Sequence, residues 1–215
     1  MERVEFFKLW SDHHGGAKIT GIVKWWLSIS FKIATILTRL KVSPNILTSL
    51  GIVLAAALYL TLEFNFGLTD RSEEINLGSL LLALLLLILS LVADGIDGSV
   101  AIVSGKVSKF GAAWDAIADR ISESLWALAF ITVGADYRII AIAWLASQIQ
   151  EYIRARSAGL GEGAIGIVTI CERPVRASLL AIALLLQAAL LLTEELIDIS
   201  SLPWINIIKS EEHTS

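Results

Sequence analysis

Residues 94–120 read DGIDGSVAIVSGKVSKFGAAWDAIADR, and this stretch decides how the chain folds. Four aspartates lie in it, Asp94, Asp97, Asp115 and Asp119, although the sequence on either side is strongly apolar. Ionisable side chains within a membrane-spanning segment are costly and usually mark a functional site. The stretch therefore indicates two helix ends that share a polar site.

Composition indicates that the rest of the chain lies in a bilayer. Of its 215 residues, 55% are hydrophobic, whereas soluble domains average about 45–50%. The excess falls in runs of the roughly 20 apolar residues that a helix needs to cross a membrane. Five segments qualify: 43–64, 77–103, 110–133, 137–157 and 173–193. The sequence predicts an all-α integral membrane protein with five transmembrane helices.

The two ends of the chain differ from these spans. Residues 18–41 spread lysine and arginine among Trp25, Trp26 and aliphatic residues, which is typical of an amphipathic helix at the membrane surface. Residues 195–209 hold only a short apolar stretch, so a sixth span is short or missing. We therefore expect a cytoplasmic N-terminus with the amphipathic helix (residues 1–42), a transmembrane catalytic domain (43–209) and a polar tail (210–215).

Charge distribution predicts the orientation. With the N-terminus in the cytoplasm, five spans place most lysines and arginines on the inner side. The outer loops then carry mainly acids: Asp70, Glu73, Glu74, Glu194 and Glu195. We expect a multi-pass protein of the cell membrane whose aspartates face the cytoplasm. The net charge of −4, without a basic domain, argues against nucleic acid as a partner, and the single cysteine, Cys171, excludes an intramolecular disulfide.

The aspartate spacings predict two half-sites. Asp94 and Asp97 are three residues apart and Asp115 and Asp119 are four apart, so each pair shares a helix face. Residues 104–109 form a short link, which predicts antiparallel neighbouring helices whose acids meet at one depth. Oxygen ligands alone favour Mg²⁺ or Mn²⁺ over zinc or copper. The alternative, acids that only pair with nearby cations at helix ends, does not explain Asp94, which lies near the unfavourable C-terminal end of its helix.

The same residues resemble the CDP-alcohol phosphotransferase family. Its signature, D-x2-D-G-x2-A-R-x8-G-x3-D-x3-D, is matched at seven of eight fixed positions, and Ile102 replaces the arginine. The resemblance implies transfer of a phosphatidyl-type group from a CDP-linked lipid to an alcohol, with release of CMP, by a homodimer that uses two Mg²⁺ or Mn²⁺ ions. It also implies metal binding by Asp94, Asp97 and Asp115, and by Asp119, which doubles as general base. Nucleotide-binding residues would be Asn45, Thr48, Gly98, Ala101 and Gly111.

Arginines near the fourth and fifth spans bear on the acceptor alcohol. YIRARS and ERPVR resemble motifs of phosphatidylinositol phosphate synthases and archaetidylinositol phosphate synthases, whose acceptor is inositol phosphate. The resemblance implies that Arg154 and Arg176 hold the acceptor phosphate, with Arg156 and Arg173 as further candidates. These arginines could instead reflect the positive-inside rule or bind anionic lipid. No arginine follows Arg176, whereas the resemblance implies a further phosphate-binding arginine on a full sixth helix; Lys209 is one substitute.

Three alternatives stay open at this point. Glycerol 3-phosphate would also suit an arginine pocket, because guanidinium groups match phosphate oxygens. A catalytically weakened paralogue is another possibility, since Ile102 stands where an arginine is expected near the nucleotide. A cation carrier is a third, although carriers usually place their acids near the bilayer midplane on repeated halves.

Overall fold

The computed structural model describes residues 1–66, 76–161 and 172–196, and all regular structure in these ranges is helical. Seven helices follow one another: α1 (Arg3–His13), α2 (Gly21–Arg39), α3 (Pro44–Phe66), α4 (Leu77–Ser104), α5 (Lys109–Thr132), α6 (Tyr137–Gly159) and α7 (Arg173–Leu196). The expected all-α architecture is confirmed. The amphipathic segment is helix α2, and α1 is an additional helix that the sequence pattern did not predict.

Three of these helices, α3, α4 and α7, are long and apolar enough to cross a membrane. Helices α5 and α6 are of similar length, 24 and 23 residues, but they carry more charged side chains. The membrane character of the chain is therefore confirmed, while the count of five spans stays a prediction. The predicted weak sixth span and the polar tail fall outside the described residues.

Helix α3 is the centre of the bundle. It packs along both α4 and α5, and α7 packs against α4 and, over a shorter length, against α5. Between the described parts of α4 and α5 there is no close backbone contact. The expected meeting of the acids of these two helices is seen, although the helices meet through side chains while α3 lies closely against both of them. The acids of α4 and α5 consequently face each other across a gap that can admit a ligand.

The apolar core holds these four helices together. Side chains from each helix are fully or almost fully buried in one cluster: Leu58 and Leu62 of α3, Leu80 and Leu87 of α4, Trp126 of α5, and Leu180 and Leu184 of α7. Burial of a side chain of this size contributes about 1.5–3 kcal/mol. Many other apolar side chains on the outer faces of the bundle are exposed, as expected for helices that face lipid.

The N-terminal helices pack on the C-terminal part of α4. Phe6 of α1 and Leu27 of α2 form a buried cluster with Ile102, which is only 6% exposed. Trp26 lies against the backbone at Gly95, where an added Cβ would lie 2.9 Å from the indole. The expectation that position 102 faces the nucleotide is not met, since the Ile102 side chain is buried against α1 and α2.

The turn between α4 and α5 is fixed by local chemistry. Gly105 ends α4 in the left-handed conformation, with φ of 66°, which only glycine adopts without strain. Ser108 precedes α5 and its Oγ accepts a hydrogen bond from the Gly111 backbone N–H at 3.0 Å. The two caps set where each helix stops, and so they fix the level at which the aspartates of α4 and α5 meet.

Candidate active site

Three of the four aspartates form one cluster. Asp94, Asp115 and Asp119 each offer a carboxylate oxygen, and these oxygens lie within 4.8 Å of one another. All three side chains are partly buried, Asp94 in the C-terminal half of α4 and Asp115 and Asp119 in the N-terminal half of α5. Carboxylates this close repel one another unless a cation lies between them.

Arg173 supplies one cation to this cluster. Its Nη1 lies 2.5 Å from Asp94 Oδ2 and 2.6 Å from Asp119 Oδ1, so a single guanidinium nitrogen bridges α4 and α5 from the start of α7. Its guanidinium carbon also lies 5.4 Å from the centre of the Trp126 ring. Arg173 therefore pairs with the aspartates in this structure, and its role as a further candidate for the acceptor phosphate stays a prediction.

The cluster fits a divalent cation. Three carboxylates and one guanidinium leave two negative charges, which a divalent ion would balance. Asp119 Oδ1 is buried, and its close neighbour is Arg173 Nη1 at 2.6 Å. An all-oxygen donor set is the kind that Mg²⁺ and Mn²⁺ prefer.

Asp97 lies outside this group of three. Its buried carboxylate accepts a hydrogen bond from Thr48 Oγ1 at 2.5 Å and another from the Gly98 backbone N–H at 2.5 Å. Thr48 comes from the first turns of α3, so this bond ties α3 to α4 at the level of the cluster. Asp97 and Asp115 both line a neighbouring cavity.

That cavity, which we call the link cavity, has a volume of about 180 Å³. It lies beneath the turn between α4 and α5 and beside the start of α3. Its lining contains every residue that the family resemblance assigned to the nucleotide: Asn45, Thr48, Gly98, Ala101 and Gly111. Lys106 and Ser108 also line it, although sequence reasoning did not assign them to the nucleotide. Lys106 adds a cation at a place suited to a phosphate group.

A second and larger cavity, the arginine cavity, opens between α5, α6 and α7 with a volume of about 460 Å³. Arg176 and Glu123 line one part of it, and Trp126, Phe130 and Ile140 line its apolar part. Within the described residues, α6 has no close backbone contact with α7. The cavity is therefore the space that the separation of these helices leaves.

Ion pairs hold the arginines of this region. Arg154 Nη2 donates to Glu172 Oε1 at 2.7 Å, and Arg176 Nη2 donates to Glu123 Oε1 at 2.7 Å. Glu151 of α6 lies between the two arginines, 3.5 Å from Arg154 Nη1 and 3.9 Å from Arg176 Nη2. Arg154 and Arg176 therefore lie on opposite sides of one carboxylate.

Arg156 is placed differently. Its side chain is exposed on α6, and neither Arg156 nor Arg154 is among the lining residues of the arginine cavity. Sequence reasoning also gave no role to Glu123 and Glu151, which pair with the proposed phosphate-binding arginines. Their signal was present, because Glu123 follows Asp119 by four residues and Glu151 precedes Arg154 by three.

Comparison with known proteins agrees with this geometry. The sequence profile of the CDP-alcohol phosphatidyltransferase family matches residues 41–201. Archaetidylinositol phosphate synthase of Aeropyrum pernix is 34% identical over 186 residues, 82% of this chain and 85% of that protein. Its Pyrococcus horikoshii counterpart is 30% identical over 159 residues, 73% of this chain and 77% of that protein.

A bacterial relative is similar to the same degree. Phosphatidylinositol phosphate synthase of Corynebacterium glutamicum is 33% identical over 155 residues, 67% of this chain and 63% of that protein. No solved structure matches the chain significantly.

Proposed function

Because the chain belongs to the CDP-alcohol phosphatidyltransferase family, and is thus a membrane transferase of phospholipid biosynthesis, we propose that its acceptor is inositol phosphate. The reaction would move an archaetidyl or phosphatidyl group from a CDP-linked lipid to an inositol hydroxyl and release CMP. The observation that carries the proposal is the position of the aspartate cluster. It has the link cavity on one side and an arginine-lined cavity on the other.

The aspartates divide the chemistry between them. We propose that Asp94, Asp97, Asp115 and Asp119 hold two divalent ions, Mg²⁺ or Mn²⁺, which when bound would neutralise the diphosphate of the CDP-linked lipid. Asp119 would also take the proton of the attacking hydroxyl as general base. That hydroxyl oxygen forms the new bond to the lipid-side phosphorus, and the bond from this phosphorus to the CMP oxygen breaks.

The link cavity is proposed to bind the cytidine nucleotide. Small residues line part of this cavity: Gly98, Ala101 and Gly111. Planar or bulky groups can therefore approach the backbone of α4 and α5. Asn45 adds an amide that can donate or accept a hydrogen bond. Thr48 acts indirectly as well, since its hydroxyl is bonded to Asp97 and orients that carboxylate.

The arginine cavity is proposed to receive the phosphate of the acceptor. Arg176 lines this cavity, and Arg154 lies close by, because Glu151 Oε1 is 3.5 Å from Arg154 Nη1 and 3.9 Å from Arg176 Nη2; a phosphate could replace this carboxylate at both arginines. Arg176 also has two buried nitrogens, Nε and Nη1, that have no hydrogen-bond partner in the described part of the chain. Each of these donors can bind a phosphate oxygen through a charge-assisted hydrogen bond.

The site is proposed to face the cytoplasm of the cell, in a plasma-membrane protein. Lys106 and Lys109 flank the turn above the cluster, which agrees with the positive-inside rule. A homodimer is proposed from the family resemblance.

One assay tests the proposed reaction. Purified protein with Mg²⁺ or Mn²⁺ and a CDP-linked lipid is offered inositol phosphate, glycerol 3-phosphate or serine, and CMP release is measured. We expect release with inositol phosphate and its loss in Asp119→Asn. Release with glycerol 3-phosphate alone would overturn the acceptor assignment. An absence of CMP with every acceptor would refute the transfer itself and favour a weakened paralogue or a cation carrier.

A further inference from the structure

Glu123 lies at the junction of the site and the arginine cavity, one helical turn beyond Asp119 on α5. Its side chain is only 2% exposed, and it faces two guanidinium groups. Arg176 Nη2 donates to its Oε1 at 2.7 Å, and Arg120 Nη2 donates to the same oxygen at 3.2 Å. A carboxylate so deeply buried requires paired cations, because an uncompensated charge there would be strongly unfavourable.

The contact leaves most of the Arg176 guanidinium available. Glu123 takes one nitrogen, Nη2, while Nε and Nη1 are buried without a hydrogen-bond partner in the part of the chain that the structure describes. Buried donors without partners are costly, so a ligand that supplies two acceptor oxygens would be stabilised there. Both Arg176 and Glu123 line the arginine cavity, which is where such a ligand would lie.

From this arrangement we propose that Glu123 is a positioning residue for the acceptor phosphate. It fixes the guanidinium of Arg176 through Nη2 and leaves the N–H groups of Nε and Nη1 for acceptor oxygens at the arginine cavity. Glu123 itself does not touch the acceptor and takes no part in proton transfer. The inference rests on the proposed function, since it concerns how the same cavity recognises a phosphorylated alcohol.

Arg120 is the internal control for this assignment. It also pairs with Glu123, with Nη1 3.0 Å from Oε2, but it is absent from the lining of the arginine cavity. If Glu123 served only to balance buried charge, Arg120 and Arg176 would be equivalent partners. If Glu123 positions Arg176, only the loss of Glu123 or Arg176 should change how the acceptor binds.

Steady-state kinetics with each substrate varied in turn test the proposal. In Glu123→Gln we expect the KM for inositol phosphate to rise on the order of tenfold to a hundredfold, as for the loss of a charged hydrogen bond. The KM for the CDP-linked lipid should stay unchanged. Glu123→Asp, which keeps the charge, should recover part of the loss, and Arg120→Gln should leave the KM for inositol phosphate unchanged.

A double-variant comparison separates positioning from a general effect. Because Glu123 is proposed to act through Arg176, the variant carrying both Glu123→Gln and Arg176→Gln should have the same KM for inositol phosphate as Arg176→Gln alone. If the KM of the double variant rises instead by the product of the two single-variant increases, the proposal is overturned. Equal changes in both substrate KM values in Glu123→Gln would also overturn it.

A binding measurement keeps the proposal testable if turnover is too low. The melting temperature of detergent-purified protein is measured with increasing inositol phosphate in the presence of Mg²⁺, since a ligand that binds the folded state raises it. We expect Glu123→Gln to need more ligand for the same increase than the unaltered protein. An unchanged ligand requirement would overturn the proposal.

The outcomes also distinguish this inference from the function on which it rests. If Arg176→Gln leaves the KM for inositol phosphate unchanged, the acceptor site assigned under the proposed function is wrong. If Arg176→Gln raises that KM and Glu123→Gln does not, the acceptor site stands and the positioning role of Glu123 fails.

Discussion

Replacement of Gly98 by alanine separates the requirements of the fold from those of the nucleotide. No heavy atom lies within 4 Å of a Cβ added at Gly98, so the folded protein has room for the methyl group. Gly98 nevertheless lines the link cavity, whose volume is only about 180 Å³. The methyl group would therefore occupy space that we assign to cytidine, without displacing any protein atom.

Gly98→Ala is expected to stabilise the fold and to weaken binding of the CDP-linked lipid. Alanine is favoured over glycine inside a helix by about 0.8–1.0 kcal/mol, which for a protein of this size corresponds to an increase in Tm of about 2–4 °C. Overfilling a closely packed site costs about 1–3 kcal/mol. If this cost falls on substrate binding, the KM for the CDP-linked lipid rises about 5-fold to 150-fold.

Gly95→Ala is the matched control, because it makes the same chemical change one turn earlier on α4. There the new Cβ would meet Trp26 Cζ2 at 2.9 Å, so the partly buried indole must move. We expect a lower Tm than Gly98→Ala, with the KM for the CDP-linked lipid unchanged, since Gly95 does not line the link cavity.

Thermal unfolding in detergent and CMP release with varied CDP-linked lipid measure these two quantities. An unchanged KM for the CDP-linked lipid in Gly98→Ala would refute the assignment of the link cavity to the nucleotide. A marked fall in its Tm would show instead that the position is structural.

Three further substitutions test separate contacts. Ile102→Arg restores the signature residue, but we expect it to lower Tm and not to raise CMP release. Ile102 is packed against Phe6, and its burial contributes about 1.5–3 kcal/mol to stability. Higher CMP release at an unchanged Tm would contradict this. Arg173→Gln removes the cation between two cluster carboxylates, so a bound Mg²⁺ ion should stabilise this variant more than the unaltered protein. The measurement is the increase in Tm from EDTA to Mg²⁺, which should be larger in Arg173→Gln. An equal or smaller increase would count against the metal assignment. Thr48→Val removes the hydroxyl that donates to buried Asp97, and its unfolding free energy should fall by about 1–3 kcal/mol, measured by denaturation in detergent; no loss would mean that another donor replaces it.

The periodicity of the aspartates was sufficient to predict a site on α4 and α5, because residues three and four apart necessarily share a helix face. The partners across the site were harder to predict. Whether α4 and α5 touch depends on α3, whose 23 residues precede both of them, and no local pattern records that α3 packs along each. The short turn at Gly105 predicted that α4 and α5 follow each other closely in the chain, but not how far apart the two helices lie.

The sequence predicted which charged residues lie near the site better than it predicted what each of them contacts. Arg173 and Arg176 are three residues apart on α7, and the sequence motif gave Arg176 to the acceptor phosphate with Arg173 as a further candidate. The structure separates them, because Arg173 reaches the aspartate cluster while Arg176 reaches Glu123. Single-sequence reasoning could not make this distinction, since it depends on which carboxylate of α4 or α5 lies opposite each turn of α7.

A series of α5 residues at intervals of four runs past the whole site and turns about 40° around the helix at each step. Gly111 and Asp115 line the link cavity, Asp119 completes the carboxylate cluster, and Glu123 and Ala127 line the arginine cavity. Successive members of this series are four residues apart, so each step advances about 6 Å along the helix. The proposed nucleotide and the proposed acceptor phosphate would therefore lie on opposite sides of the cluster. Direct displacement at phosphorus requires this arrangement, because the attacking and leaving oxygens of an in-line transfer are on opposite sides of the reacting atom.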